Sequence, residues 1–267
     1  LSQEVNQIEV QNLSEALEVP ATNDEISRLT ISFNKMLARL DEAFTAQKQF
    51  SANAAHELRT PLAVIQTNLE VFARRETPAL KDYQEIFAML QEQTGRLSHL
   101  AEILLDMTGV QTVERSERIS LAALTDEVFC DLTSVAEQKE VELIQQEGDC
   151  IITGSYLLLY RAVYNLVENA IKYNHSGGKV TVNIHPSEEI TDTSTSVNYV
   201  FLEVSDTGIG IPPEYQEKIF TPFFRVDKSR SRAMGGAGLG LALVSEIVRQ
   251  HNGQVKVLES SKKGSVI

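Results

Sequence analysis

Two groups of residues, far apart in this sequence, have side chains suited to chemistry. The first is His56 with Glu57, in the run from Phe50 to Leu62. An imidazole offers a neutral, nucleophilic nitrogen near pH 7, and the next carboxylate can hold or deprotonate the ring. The second is a set of asparagine, aspartate and glycine motifs at residues 165–241, suited to holding ATP. A nucleophile and a phosphoryl donor in one chain make His56 a candidate phosphoacceptor.

The first nucleotide motif runs from Asn165 to Tyr173 and has the period of a helix. Helical geometry places Asn165, Asn169 and either Lys172 or Tyr173 along one side. Amide oxygens can ligate Mg²⁺, and a lysine can pair with phosphate. This motif is therefore a candidate metal and phosphate site.

Two further motifs are rich in glycine. Asp206 follows a predicted strand, and its carboxylate can accept a hydrogen bond from an exocyclic amine, while Gly208 and Gly210 let a ring approach the backbone. Residues 235–241 lead into a helix whose free N–H groups can bind phosphate. The chain has no G-x-x-x-x-G-K-[ST], and neither glycine cluster completes G-x-G-x-x-G, so a P-loop or a Rossmann site is not supported.

An apolar seam predicts the helix that carries His56. Its members recur at steps of four and three: Leu58, Leu62, Ile65, Leu69 and Phe72. His56 is off this seam, on a flank open to solvent, with Thr60 one turn further on the same face. Pro61 falls inside the pattern and is expected to bend the helix.

A second seam follows the break at Thr77–Pro78, and its members are Ile86, Leu90, Leu97, Leu100, Leu104 and Met107. The two helices form a hairpin that cannot cover both of its seams, which predicts a four-helix bundle made by two copies of the chain. Upstream, Asp24–Glu25 opens a helix with a coiled-coil pattern: Ile26, Leu29, Phe33, Met36, Leu40 and Phe44.

Downstream of about Ile119 the pattern changes to mixed helix and strand. We expect strands at 141–144, 150–153, 180–184 and 199–205, helices at 156–173 and 239–251, and a polar hairpin loop at 186–198. The fold class is therefore multi-domain: an α-helical hairpin forming a dimeric four-helix bundle, followed by an α/β sandwich domain that binds ATP.

Composition sets limits on the function. The chain has 267 residues, 42% of them hydrophobic, which supports packed cores. A net charge of −13 argues against nucleic-acid binding. Cys130 and Cys150 lack metal-ligand spacing and are predicted to be reduced and buried. No apolar stretch could span a bilayer, so the chain as given is expected to be soluble, and both of its ends suggest a fragment of a longer protein.

The run from Phe50 to Leu62 resembles the H-box of the sensor histidine kinases of two-component systems. The resemblance implies that His56 is phosphorylated, that Glu57 is its acid/base partner, and that Thr60 positions water when the domain dephosphorylates its response regulator. Residues 12–44 are similar to the second half of a HAMP linker, with Val5 and Ile8 as the tail of its first helix; an ordinary coiled-coil linker is the alternative.

The downstream motifs resemble, in order, the N, G1, F and G2 boxes of the kinase branch of the ATP-binding fold shared with gyrase, Hsp90 and MutL. The resemblance implies that Asn169 ligates Mg²⁺, that Asn165 and Lys172 contact phosphates, and that Tyr173 lines the pocket. Asp206 would accept a hydrogen bond from the adenine amine. The other implied ATP-binding residues are Gly208, Gly210, Arg225, Lys228, Arg230, Gly236, Gly238, Leu239 and Gly240. Residues 226–235, including Lys228, Arg230 and Arg232, would form a mobile lid.

Two positions depart from related patterns. Asn174 and His175 follow Tyr173 where the family more often has a threonine, and His175 is interpreted as a loop residue. In the ATPases of this superfamily a glutamate four residues before the metal asparagine activates water; here that position is Asn165, which cannot act as a general base. A chaperone-like or topoisomerase-like ATPase also leaves the H-box unexplained, and an inactive scaffold predicts eroded motifs, of which there are none.

The resemblance implies three regions: a partial HAMP or coiled-coil segment at 1–44, a dimerisation and phosphotransfer domain at 45–114, and a catalytic ATP-binding domain at 115–267. It implies a Mg-ATP-dependent histidine kinase, also acting as a phosphatase of its regulator. Its expected partners are a second copy and the receiver domain of a response regulator, without nucleic acid. The full-length parent is expected to be an integral membrane protein with this part in the cytoplasm, linked to the membrane only through segments absent here.

Overall fold

The computed structural model of the chain describes residues 17, 19, 25–109, 113–186, 199–226 and 237–267. The elements are α1 (Glu25–Ala73), α2 (Leu80–Gly109), β1 (Glu117–Ser120), α3 (Leu121–Gln138), β2 (Glu142–Gln145), β3 (Ile151–Gly154), α4 (Tyr156–Lys172), β4 (Lys179–Pro186), β5 (Val200–Asp206), α5 (Gly240–Gln250), β6 (Glu259–Ser261) and β7 (Gly264–Val266). Two 3₁₀ turns, Pro213–Tyr215 and Lys218–Phe220, precede α5. Helices followed by a mixed α/β region confirm the predicted fold class. Contacts divide the chain into two compact units, residues 1–63 and 64–267.

The first unit contains most of α1. The helix begins at Glu25, as the acidic pair indicated, and continues through Pro61, whose side chain is buried. The amide of Asn34 holds the backbone of Leu17 beside the helix: Oδ1 accepts the Leu17 N–H and Nδ2 donates to the Leu17 carbonyl, both at 2.9 Å. Most of the HAMP-like segment, with Val5 and Ile8, lies outside the described residues.

The predicted coiled-coil stripe on α1 is largely exposed within the single chain. Its exposed members are Ile26, Leu29, Met36, Leu40 and Phe44. Leu37, Thr30 and Ser27, on another face, are buried. Apolar side chains left in water along one face are the usual mark of a surface that another element covers.

In the second unit, the turn between α1 and α2 is fixed by local contacts. The ring of Phe72 meets that of Tyr83 edge-on, with centroids 5.0 Å apart. Asp82 accepts the Ala79 N–H at 2.8 Å and forms an ion pair with Arg75. The predicted break at Thr77–Pro78 is therefore confirmed, and the carboxylate stabilises the start of α2.

The five-stranded sheet has the order β2-β4-β5-β7-β6. Strands β2 and β4 are parallel, and the other neighbours are antiparallel. Alternate residues of β4 and β5 form one buried face: Val180, Val182, Ile184 and Val204. Helix α4 packs against α3, α5 and this sheet. A separate antiparallel pair joins β1 and β3.

The four strands predicted beyond residue 140 are confirmed within one or two residues. The short strands β1 and β6 were not predicted, because three or four mostly polar residues give no clear alternation. Strands β4 and β5 pair up to Pro186 and Val200, and the predicted loop at 187–198 lies outside the described residues.

The cysteines are free, but the prediction that both are buried is wrong. Cys130 is exposed because the buried stripe of α3 passes through Val128 and Leu132, which places Cys130 between them on another face. Among the described residues, no helix combines the length and apolar character needed to cross a membrane.

Candidate active site

His56 lies on an exposed flank of α1, as predicted. Thr60, one turn later, is also exposed, and its hydroxyl donates to the carbonyl of His56 at 3.1 Å. Glu57 is half-buried. The helix backbone therefore fixes the spacing of the three groups, while the imidazole remains accessible to a reagent from solvent.

The two asparagines of α4 are oriented by the helix itself. The Nδ2 of Asn165 donates to the Arg161 carbonyl, and that of Asn169 donates to the Asn165 carbonyl, both at 2.8 Å. Each nitrogen is thus bonded back to the preceding turn, which leaves each Oδ1 as the outward atom. An amide oxygen is a ligand that Mg²⁺ accepts, and Mg²⁺ needs only one or two protein ligands when phosphates supply others. The donor set fits this metal.

The beginning of α5 lies directly against these asparagines. A Cβ on Gly240 would come within 2.5 Å of Asn165 Oδ1, so only glycine allows the approach. Gly238 has a φ of +72°, and its carbonyl accepts the Phe223 N–H at 2.7 Å. Leu239, 1% exposed, anchors the start of the helix. The glycine run therefore meets Phe223, and the start of α5 lies against the amide of Asn165.

The loop that follows Asp206, residues 207–212 (the Asp206 loop), meets the C-terminal end of α4. Asp206 Oδ1 accepts the Gly208 N–H at 2.7 Å, and the Tyr173 carbonyl accepts the Ile209 N–H at 3.2 Å. Burial raises the pKa of Asp206, an effect that hydrogen bonds from the backbone of Gly208 and Ser265 oppose. A partly buried carboxylate with a remaining acceptor site is suited to a single polar group of a ligand.

The hairpin of β6 and β7 lies beside Asp206 and Gly210. This contact was not predicted from the sequence. A Cβ on Gly210, where φ is +71°, would lie 1.8 Å from the Ser261 carbonyl oxygen. Ser260 Oγ accepts the Ile211 N–H at 2.7 Å and lies 3.0 Å from Ser265 Oγ. An open cleft of about 290 Å³ is lined by Asp206 and by this hairpin.

Cationic side chains surround the end of α4. Burial lowers the pKa of Lys172, opposed by the Glu168 carboxylate and reinforced by other cations, including Arg225. Lys139 Nζ donates to the carbonyls of Ile171, at 2.9 Å, and Lys172. Positive charge concentrated at the end of α4 favours the binding of an anionic ligand there. The predicted lid residues Lys228, Arg230 and Arg232, and the hinge residue Gly236, lie outside the described residues.

The structure thus places the predicted residues in two groups. His56, Glu57 and Thr60 belong to the first unit, whereas the described nucleotide residues belong to the second. In the second unit, α4 links the asparagines that face Gly240 with Tyr173, which meets the Asp206 loop. Motifs separated by up to 75 positions in the sequence, from Asn165 to Gly240, therefore meet around one helix.

Three family models match this chain. Residues 154–267 match the model described as "Histidine kinase-, DNA gyrase B-, and HSP90-like ATPase", and residues 46–112 match "His Kinase A (phospho-acceptor) domain". Residues 1–42 match the HAMP domain. These matches confirm the three resemblances found in the sequence.

Similar proteins agree with the models. The sensor histidine kinase CusS of Escherichia coli strain K12 is 30% identical over 265 residues, covering 98% of this chain and 53% of CusS. The sensor histidine kinase RppB of Synechocystis sp. is 35% identical over 231 residues, covering 84% of this chain and 49% of RppB. The chain spans about half the length of the curated relatives it matches.

The fold is similar to the crystal structure of histidine kinase ThkA in complex with response regulator protein TrrA, with a TM-score of 0.63. The match covers 91% of this chain and 66% of that chain at 21% identity. Family models in the expected order, curated relatives along nearly the whole chain and the observed fold lead to one conclusion. The chain belongs to the sensor histidine kinases of two-component signalling systems.

Proposed function

We propose that this chain phosphorylates His56 from Mg-ATP and transfers the phosphoryl group to an aspartate on the receiver domain of a response regulator. The observation that carries the proposal is the pairing of an accessible His56–Glu57 with a nucleotide site in which Asn169, Asp206 and the start of α5 converge on α4. We assign residues 1–44 to a partial HAMP segment, 45–114 to dimerisation and phosphotransfer, and 115–267 to ATP binding.

Each nucleotide residue has a role suited to its position. Asn169 would hold Mg²⁺ through Oδ1, and the metal would neutralise phosphate charge. Asn165 and Lys172 would contact phosphates, Tyr173 would line the pocket, and Asp206 would accept the adenine amine. The glycines give the nucleotide room or shape the phosphate contact: Gly208, Gly210, Gly236, Gly238 and Gly240, with Leu239 between the last two. Arg225 and the lid cations Lys228 and Arg230 add positive charge.

The proposed reaction uses His56 as the nucleophile. A lone pair on the imidazole forms an N–P bond to the γ-phosphorus while the bond to the β,γ-bridging oxygen breaks, and ADP leaves. Glu57 holds or takes the proton of the ring nitrogen that does not react. Transfer then moves the phosphoryl group from nitrogen to a carboxylate oxygen of the regulator, which regenerates His56.

The site favours transfer to histidine over hydrolysis. The position where the hydrolysing relatives have a glutamate is occupied by Asn165, 8% exposed, whose Nδ2 is bonded to the Arg161 carbonyl. A neutral amide cannot take a proton from water at neutral pH. Bound ATP is therefore expected to survive until His56 reaches it.

The same helix would support hydrolysis of the phosphorylated regulator. Thr60 lies on the exposed face one turn from His56, where its hydroxyl could position a water that attacks the phosphorylated regulator. The exposed stripe on α1 supports a homodimer through a coiled coil and a four-helix bundle. The HAMP match and the longer relatives support an integral membrane parent that carries this part in the cytoplasm.

Incubation with [γ-³²P]ATP and Mg²⁺ tests the proposal. The parent should gain acid-labile, base-stable label, and His56→Gln should gain none while binding ATP as well as the parent. Asn169→Asp should lose label through loss of Mg-ATP binding. Label that persists in His56→Gln, or release of phosphate without labelled protein, would contradict the proposal.

A further inference from the structure

Asn174, directly after the last turn of α4, is a buried polar residue with three hydrogen bonds. It is 7% exposed. Its Oδ1 accepts the His175 N–H at 3.0 Å and the Thr207 hydroxyl at 3.1 Å, and its Nδ2 donates to the Lys179 carbonyl at 2.9 Å. One side chain thus joins the end of α4 to the start of β4 and to the residue after Asp206.

Thr207 is held equally firmly on the other side. Its hydroxyl accepts the Lys179 N–H at 2.9 Å, and its own N–H donates to the Lys179 carbonyl at 3.1 Å. A Cβ on Gly178 would lie 2.1 Å from Asn174 Oδ1 and 2.8 Å from Thr207 Oγ1. The cluster of Asn174, Thr207, Gly178 and Lys179 is therefore closely packed, and none of its members was assigned a role in binding ATP.

This cluster lies between the two parts of the proposed base site. Tyr173 immediately precedes Asn174, and Asp206 immediately precedes Thr207. The Tyr173 carbonyl also accepts the Ile209 N–H, so the separation of α4 from the Asp206 loop is set by a few bonds. A hydrogen bond to a base weakens when its acceptor moves or rotates out of the range of distance and angle that such bonds allow.

We propose that Asn174 is a positioning residue for base recognition: through Thr207 it fixes the Asp206 carboxylate relative to α4. It thereby determines how strongly the site prefers adenine to a base without the amine. This rests on the proposed function and deepens it. An asparagine offers an acceptor and a donor on separate atoms, which lets it reach Thr207 and Lys179 at once. Alanine would release Thr207 and leave the Lys179 carbonyl without this donor.

The test is discrimination between ATP and inosine triphosphate, which has a carbonyl in place of the adenine amine. The dissociation constants of both nucleotides are measured with the full chain for the parent, Asp206→Asn, Asn174→Ala, Thr207→Val and the double variant Asn174→Ala/Thr207→Val. The matched control is Asn183→Ala, because this asparagine lies on the face of β4 opposite the buried Val182 and donates to Glu203 at 3.3 Å.

The parent should favour ATP, and Asp206→Asn should abolish the preference. Asn174→Ala and Thr207→Val should each lower the preference about tenfold, and the double variant no further, because both act through one bond. Asn183→Ala should retain the parental preference.

Equal weakening of both nucleotides in Asn174→Ala, with the preference intact, would overturn the positioning role and leave a structural one. If Asn174→Ala does not fold, an unchanged preference in Thr207→Val overturns it equally. A parent without preference, unaffected by Asp206→Asn, would instead contradict base reading by Asp206 in the proposed function.

Discussion

The helix around His56 and the nucleotide site around α4 are built in contrasting ways. His56 and Thr60 are exposed, and the bond between them is a local one within the helix. In and beside the nucleotide site, Asn165, Asn174 and Leu239 are buried, and the neighbours of the two asparagines come from distant parts of the sequence. This contrast suits the proposed function, in which the acceptor must remain accessible to more than one reagent and the donor site must be preorganised for one ligand.

Glycines show the same contrast. Gly95, within α2, has no neighbouring atom within 4 Å of an added Cβ, whereas Gly210 would place one 1.8 Å from a carbonyl oxygen. One glycine occupies an ordinary helical position, and the other allows two backbones to touch. Variants at these and two other positions test whether the two regions differ in this way.

The largest effect is expected from Gly210→Ala. A left-handed φ and a clash with the backbone of Ser261 should together cost roughly 2–5 kcal/mol of stability. Because the displaced loop carries Gly208 beside Asp206, ATP affinity should also fall by more than about a hundredfold. Urea unfolding and nucleotide titration measure both, and near-parental values would show that the donor site is as tolerant as the helix.

Asp206→Asn should have the next largest effect, lowering ATP affinity by about 10–100-fold through loss of a charged acceptor. The free energy of unfolding, in contrast, should be higher in this variant than in the parent at neutral pH. Because burial raises the pKa of Asp206 in the folded state, stability falls as pH rises from 3.8 through that raised pKa, and the penalty persists at neutral pH.

The Asn variant should therefore resist urea better than the parent at pH 7.5, and the difference should shrink as the pH falls toward 3.8. Thermal or urea unfolding at several pH values checks this. A variant less stable than the parent at pH 7.5 would show that the carboxylate stabilises the fold.

Thr60→Ala tests the exposed region of α1 around His56. The hydroxyl makes a solvent-exposed bond to the carbonyl of His56, so stability should change by less than about 0.5 kcal/mol. Labelling of His56 should stay within about twofold of the parent, and dephosphorylation of the regulator should fall at least about tenfold. Equal loss of both activities would mean that Thr60 supports the helix and not the water.

Gly95→Ala should have the smallest effect, a gain of roughly 0.5–1 kcal/mol in unfolding free energy because alanine favours the helix. ATP affinity should be unchanged. As the same substitution as Gly210→Ala, it is the matched control, and destabilisation here would reveal a contact on α2 that the single chain does not contain.

Much of this fold was accessible from the sequence because periodicity and motifs are local. The long helices, α4 and α5 follow from their apolar spacing, and the positions of Asn169 and Asp206 follow from their motifs. The bond between Ser260 and Ile211 was not accessible, since it joins segments 49 residues apart. Strand β6 was missed because its three polar residues give no clear alternation. In the sequence, Asn174 is only a departure from the family pattern, because nothing local indicates that its amide reaches Thr207.

The proposed function requires an accessible acceptor and a preorganised donor site in one chain. Mass spectrometry after reaction with Mg-ATP under alkaline conditions tests this most directly, because it locates the phosphoryl group. We expect one modified residue, His56, with the modification lost on acid treatment and absent from Asn169→Asp. Phosphorylation of a serine, threonine or other histidine in place of His56 would contradict it.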